Sequence, residues 1–175
     1  MKKLVLIFSV FLFFSCGSHR NFQSFFNNHK NDLGVTAFQI PNFMRALLGT
    51  ISPEVNSLFS NVKDFKFLTF KELTKDKQQK LIEEMNLVTN DRFTDILRVN
   101  KIDKTKIVSV LEVGAIVKQA IIFNSTLNKT SVFYLKGNFD PNQIKKISEA
   151  NQFEDLSNKL LQQYTMPTRG INPIN

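Results

Sequence analysis

Apolar positions change their spacing several times along this chain, and each change marks a different element. Leu4 to Phe14 is an almost unbroken apolar run with no period, interrupted only by Ser9. Phe22, Phe25 and Phe26 then fall at helical spacing in a polar, Asn-rich stretch, which predicts a short helix that docks through its phenylalanines. Val35 to Ile40 is β-branched and apolar and is ended by Pro41, the signature of a strand. Phe43, Met44, Leu47, Leu48 and Ile51 repeat every three or four residues, which puts them on one helical face. Ser52 and Pro53 restart a helix with a buried stripe of Val55, Leu58 and Phe59.

From Asp64 the period shortens. Phe65 to Phe70 is apolar at odd and even positions alike, which predicts a strand partly buried on both faces. Thr74 caps a polar helix that runs to about Asn90, docked by Leu81, Ile82, Met85 and Val88. Four β-rich segments follow, Phe93 to Val99, Lys106 to Val113, Ile116 to Asn124 and Ser131 to Phe139, with turns around Asp103, Gly114 and Asn128. Connections this short join neighbouring antiparallel strands and predict a meander. Asp140, Pro141, Asn142 and Gln143 start a helix in which Asp140 and Gln143 are placed to cap each other's amides. Ile144, Ile147 and Ala150, then Phe153, Leu156, Leu160 and Leu161, give apolar faces to one bent or two consecutive helices, before Pro167 and Pro173 break the pattern. The fold class expected is α+β, an antiparallel four-strand meander that the segments at Val35 and Asp64 extend to six strands, with helices packed on one face.

The N-terminal run has a separate meaning. Lys2 and Lys3, the apolar segment and the small residues Ser15, Cys16, Gly17 and Ser18 follow the order of a secretory leader. The run is short of the roughly 20 residues a membrane span needs, and His19 and Arg20 follow it closely. Cys16 is the only cysteine, so no internal disulfide forms. Phe13, Phe14, Ser15 and Cys16 resemble a bacterial lipobox, although Phe13 and Phe14 stand where that pattern prefers Leu and a small residue. The resemblance implies cleavage between Ser15 and Cys16 and lipid attachment to the Cys16 sulfur. Ordinary cleavage after Gly17 or Ser18, with Cys16 discarded, is the alternative. By the same resemblance Gly17 is not the Asp that retains some lipoproteins at the inner membrane, and the expected location is the outer membrane, facing the periplasm.

The expected organisation is a leader at 1–15, a lipidated tether and docking helix at 16–32, one α+β domain at 33–165 and a flexible tail at 166–175. Loss of Lys2 and Lys3 with the leader takes the formal charge from +8 to +6. The lysines are scattered rather than clustered, and with export this argues against nucleic acid as a partner. With 18 phenylalanines, no Trp and few Gly or Pro, the body can pack a core without disulfides.

Chemistry is sparse. His19 and His29 are the only histidines, both in the tether region, and neither a helical H-E-x-x-H, a G-x-S-x-G elbow nor a phosphate-cradling loop occurs. No cofactor or metal is therefore expected. Asp91, Arg92, Asp95 and Arg98 form the densest mixed charge cluster and are the candidate polar ligand site, although a capping Asp and cross-strand or surface ion pairs are the favoured explanation of them. Tyr134 and Lys136 read as solvent-side residues of one strand.

Val35 to Leu48 (VTAFQIPNFMRALL), Leu97 to Asn100 (LRVN) and Phe133 to Asp140 (FYLKGNFD) resemble the uncharacterised bacterial lipoprotein family known as domain of unknown function 4252. The resemblance implies a secreted α+β body and carries no assigned reaction. The expected function is a membrane-anchored, non-catalytic binding or regulatory module that contacts an envelope protein. A small envelope hydrolase or lyase using carboxylates or Ser and Lys, and a carrier of apolar ligands, are the alternatives.

Overall fold

The computed structural model describes residues 21–39, 53–90, 92–149 and 152–165. In chain order its elements are α1 (Phe22–His29), β1 (Val35–Gln39), α2 (Pro53–Ser60), β2 (Val62–Lys71), α3 (Lys75–Thr89), β3 (Thr94–Asn100), β4 (Lys104–Val113), β5 (Ile116–Thr126), β6 (Lys129–Phe139), α4 (Pro141–Glu149) and α5 (Gln152–Thr165). The helix expected from Phe43 to Ile51, the leader, Cys16 and Asp91 lie outside the described residues.

The strands form one six-stranded antiparallel sheet in the order β1-β2-β6-β5-β4-β3. The last four strands are the meander, and β2 closes onto β6 with Phe67 opposite Phe133, so β1 and β2 extend the sheet. The class is α+β, as the mixture of periods predicts.

Strand residues of one parity and of the other are both apolar, and the sheet is therefore buried twice. On the first face Phe65, Phe67, Val108, Val110, Ala120, Ile122, Phe133 and Leu135 pack under Phe59 of α2, Ile144 of α4 and Phe153 and Leu156 of α5. On the second face Leu68, Phe70, Ile107, Ile121, Phe123, Val132 and Tyr134 pack under Phe22, Phe25 and Phe26 of α1 and Leu81, Met85 and Val88 of α3. Helices on both faces replace the single helical layer expected from sequence. The reason is the apolar character of both parities, since a sheet with one polar face would need no second layer.

Two caps fix the helices that matter below. Thr74 accepts a hydrogen bond from the Lys77 amide at 3.3 Å and opens α3. Asp140 accepts from the Asn142 amide at 2.7 Å and opens α4, but the Gln143 side chain donates to Ser57 Oγ of the α2 helix at 3.1 Å instead of returning to Asp140. The reciprocal cap expected from sequence is thus half made: the Gln143 side chain is turned to α2 and does not accept from the Asp140 N–H. No helix among the described residues is long and apolar enough to cross a membrane.

Candidate functional site

The chain leaves β2 near one edge of the sheet and must reach β3 at the opposite edge. α3 makes that crossing over the second face, so its last turn ends beside β3. Thr89 closes the helix by donating its hydroxyl to the Met85 carbonyl at 3.1 Å, and the Phe93 amide bonds back to the Thr89 carbonyl at 3.3 Å. Asn86 from this last stretch of helix is thereby set above the strand that follows.

In a regular strand residues three apart point to opposite faces. Asp95 and Arg98 nevertheless share the second face, because the β3–β4 register slips between Asp95, opposite Ser109, and Leu97, opposite Val108. The bulge inserts one residue, so Ile96 and Leu97 both turn to the first cluster while Arg98 opposite Ile107 rejoins Asp95. Arg98 Nε then donates to Asp95 Oδ2 at 2.6 Å, and its Nη1 donates to Asn86 Oδ1 at 3.1 Å. The Ser109 hydroxyl donates to Asp95 Oδ1 at 2.5 Å.

The result is an open depression of about 410 Å³ lined by Asn86, Thr89, Asn90, Phe93, Asp95 and Arg98. Both oxygens of Asp95 are engaged, so the carboxylate holds the Arg98 guanidinium in place instead of presenting itself as a base. Two of the five guanidinium N–H donors are used in these bonds, and the others are left to a ligand or to water. A preorganised guanidinium flanked by side-chain amides and one ring suits a carboxylate, a carbonyl or a hydroxyl-bearing ligand. Ser109 is fully buried and donates to a carboxylate, which makes it a support of Asp95 and not a nucleophile.

Of the four residues singled out in sequence, the fold brings Asp95 and Arg98 together, leaves Arg92 exposed on the approach to β3, and Asp91 lies outside the described residues. Asn86 and Ser109 join them from α3 and β4. Nothing in the sequence marks Asn86; a lone serine inside the apolar run Ile107 to Leu111 was the available signal for Ser109.

Tyr134 is corrected. It is buried, with Phe22 of α1 stacked on its ring at 4.7 Å and its hydroxyl donating to Gln119 Oε1 at 3.1 Å. Burial, with the nearby Asp64 carboxylate adding to it, pushes the phenol up to about 12. The docking helix covers this part of the sheet and takes the tyrosine from solvent, whereas Lys136 two residues on is exposed. His29 sits at the end of α1, Nδ1 2.9 Å from Asp32 and Nε2 2.7 Å from Glu84, and pins α1 to α3.

A second polar group lies within the first face. Thr69, Ser131, Asn124 and Lys106 stand opposite one another across β2, β6, β5 and β4. Ser131 meets Ser157 of α5 at 3.3 Å, and Lys106 donates to the Ser148 carbonyl. That carbonyl belongs to the last turn of α4, so the buried ammonium caps a helix C-terminus. Burial lowers the Lys106 pKa, with the Glu154 carboxylate opposing the shift. The Ser148 hydroxyl is spent on the Ile144 carbonyl at 2.7 Å. Lysine and serines meet here, but through a main-chain oxygen, with the Ser131 and Ser157 hydroxyls bonded to one another and that of Ser148 to a carbonyl.

No curated protein and no solved structure matches the chain. A family model described as a domain of unknown function, DUF4252, matches residues 27–147, which run from the end of α1 to the last turn of α4 and include the whole depression. The chain belongs to that family.

Proposed function

We propose that this protein is an exported lipoprotein, anchored through acyl chains on Cys16 to the periplasmic face of the outer membrane. Its body serves as a non-catalytic module that binds an envelope protein. The observation that carries the binding half is Arg98, clamped by Asp95 and Asn86 at an open depression. Clamping removes much of the side-chain entropy that an isolated surface arginine would lose on contact, which suits it to recognise a carboxylate or carbonyl of the partner. The depression is lined mainly by amide, hydroxyl and charged side chains, and this favours a polar contact over an apolar ligand.

The anchoring half is supported by the leader pattern ending at the single cysteine. Two or three acyl chains, at about 0.8 kcal/mol for each buried methylene, hold such a body at the membrane on any relevant timescale. The test is the intact mass of membrane-extracted protein beside a Cys16→Ser variant. A mass of residues 16 to 175 plus acyl chains, lost in the variant, supports the reading; an unlipidated mass beginning after Gly17 or Ser18 overturns it. For the binding half, photocrosslinking from the β3 edge in intact envelopes should capture a protein, and Arg98→Ala should abolish the capture. Undiminished capture by Arg98→Ala removes the depression from the account.

A further inference from the structure

We infer that the β4–β5 hairpin tip dips into the bilayer to which Cys16 is anchored, so that the body stands on the membrane through two contacts. The inference rests on the lipoprotein reading above and adds an orientation to it.

The tip is unusual in composition. Two-residue hairpins are commonly closed by polar pairs such as Asn-Gly. Here Val113 pairs with Ile116 across Gly114 and Ala115, so the turn and its flanks are entirely apolar. All of them are exposed, Val113 by 61% and Ile116 by 44%. Gly114 has φ 64°, and a glycine with positive φ at the first turn position gives the tight turn that lets these side chains project beyond the sheet. Isolated exposed apolar residues are ordinary. Leu33, Ile102 and Leu127 at the opposite end of the sheet stand singly in sequence, each without a large apolar residue on either side. Four consecutive apolar residues on a projecting turn are not.

The anchor points the same way. Phe22 stacks on Tyr134, and Phe25 and His29 lie against Phe70, so α1 runs from the middle of the sheet towards the end that carries Leu33 and Leu127. Asn21, the N-cap of α1, is therefore at the end of the helix nearer the hairpin. Four residues lie between Cys16 and Asn21, a reach of at most about 17 Å from one Cα to the other. Tyr134 stands opposite Ile121 on β5, and the five residues from there to Ile116 cover about 17 Å of strand. The lipid and the apolar tip can thus meet one surface. Lys136 and Lys118, on β6 and β5 near this end, supply positive charge to set against the exposed Glu112 that adjoins Val113.

The test uses full-length lipidated protein in phosphatidylethanolamine vesicles with and without phosphatidylglycerol. With Cys16 acylated, Val113→Cys and Ile102→Cys each offer one thiol for an environment-sensitive dye. The dye at 113 should shift to the blue and be quenched severalfold more by lipid-borne nitroxide than the dye at 102, with anionic lipid strengthening the difference. A dye at 113 that reports water in protein of the acylated mass overturns the inference and leaves the lipoprotein reading intact. Protein without acyl chains overturns both. A photoreactive group at 113 that captures a protein in native envelopes instead of lipid assigns the tip to a partner and also overturns the inference.

Discussion

Replacing Asp95 by alanine tests the clamp on which the candidate site depends. In the folded protein its carboxylate takes a hydrogen bond from the fully buried Ser109 at 2.5 Å and another from Arg98 at 2.6 Å. A hydrogen bond to a charged group contributes about 1.5–3 kcal/mol net, and its loss leaves the Ser109 donor unsatisfied. The Arg98 pair is about one-third exposed on each side, and adds no more than about 1 kcal/mol. Asp95→Ala should therefore destabilise by about 2–4 kcal/mol. Ser109→Ala removes the same bond but leaves a carboxylate that water can reach, and should cost about 1–2 kcal/mol. Because both variants break one interaction, the double variant should be little worse than Asp95→Ala alone, a coupling of about 1.5 kcal/mol. Urea unfolding at neutral pH with a shared m-value reads all four proteins. Additive losses, within about 0.5 kcal/mol, would refute a direct bond between the two residues and with it the bulge geometry that brings them together.

Other consequences are equally direct. Tyr134→Phe should remove the phenolate step near 12 seen by ultraviolet absorbance. Since the folded pKa lies above the unfolded value near 10, the wild-type protein should lose stability as pH rises from about 10 to 12 while the variant does not, and equal alkaline curves would contradict the buried phenol. Gly137→Ala should destabilise strongly or prevent folding, because a Cβ there would collide with the Asn61 carbonyl and the Phe139 ring; thermal melting within a degree or two of wild type would show that the close approach is absent. Phe22→Ala should open α1 locally, since eight residues do not hold a helix without packing; amide exchange should quicken in residues 22–29 and stay slow in β5 and β6.

Much of the body is written in local patterns. Thr74 and Asp140 mark helix starts by side-chain chemistry that needs no tertiary partner, and the apolar residues at both parities from Phe65 to Phe70 announce a strand buried on both faces. The spacing of Phe22, Phe25 and Phe26 likewise defines the buried side of α1, because a helix of any origin puts those positions on one face. The sequence also determined that the last four strands are neighbours, since turns as short as Gly114-Ala115 leave no other arrangement.

What it could not determine is which distant elements meet. The apolar residues of both parities imply two covering layers, but no local pattern says that α1 and α3 take one face while α2, α4 and α5 take the other. Tyr134 is buried for that reason: whether a strand tyrosine faces water depends on a helix more than a hundred residues earlier. Asp95 and Arg98 show the same limit at the site. A strand with its regular period of two puts them on opposite faces, and only the slip at Ile96, made when β3 takes its register from β4, turns them together. Asn86 joins because α3 must cross the sheet, a requirement of the strand order and not of the residue. Periodicity and capping act over a few residues and can be read one element at a time, whereas register, layer choice and crossover exist only once the sheet has closed.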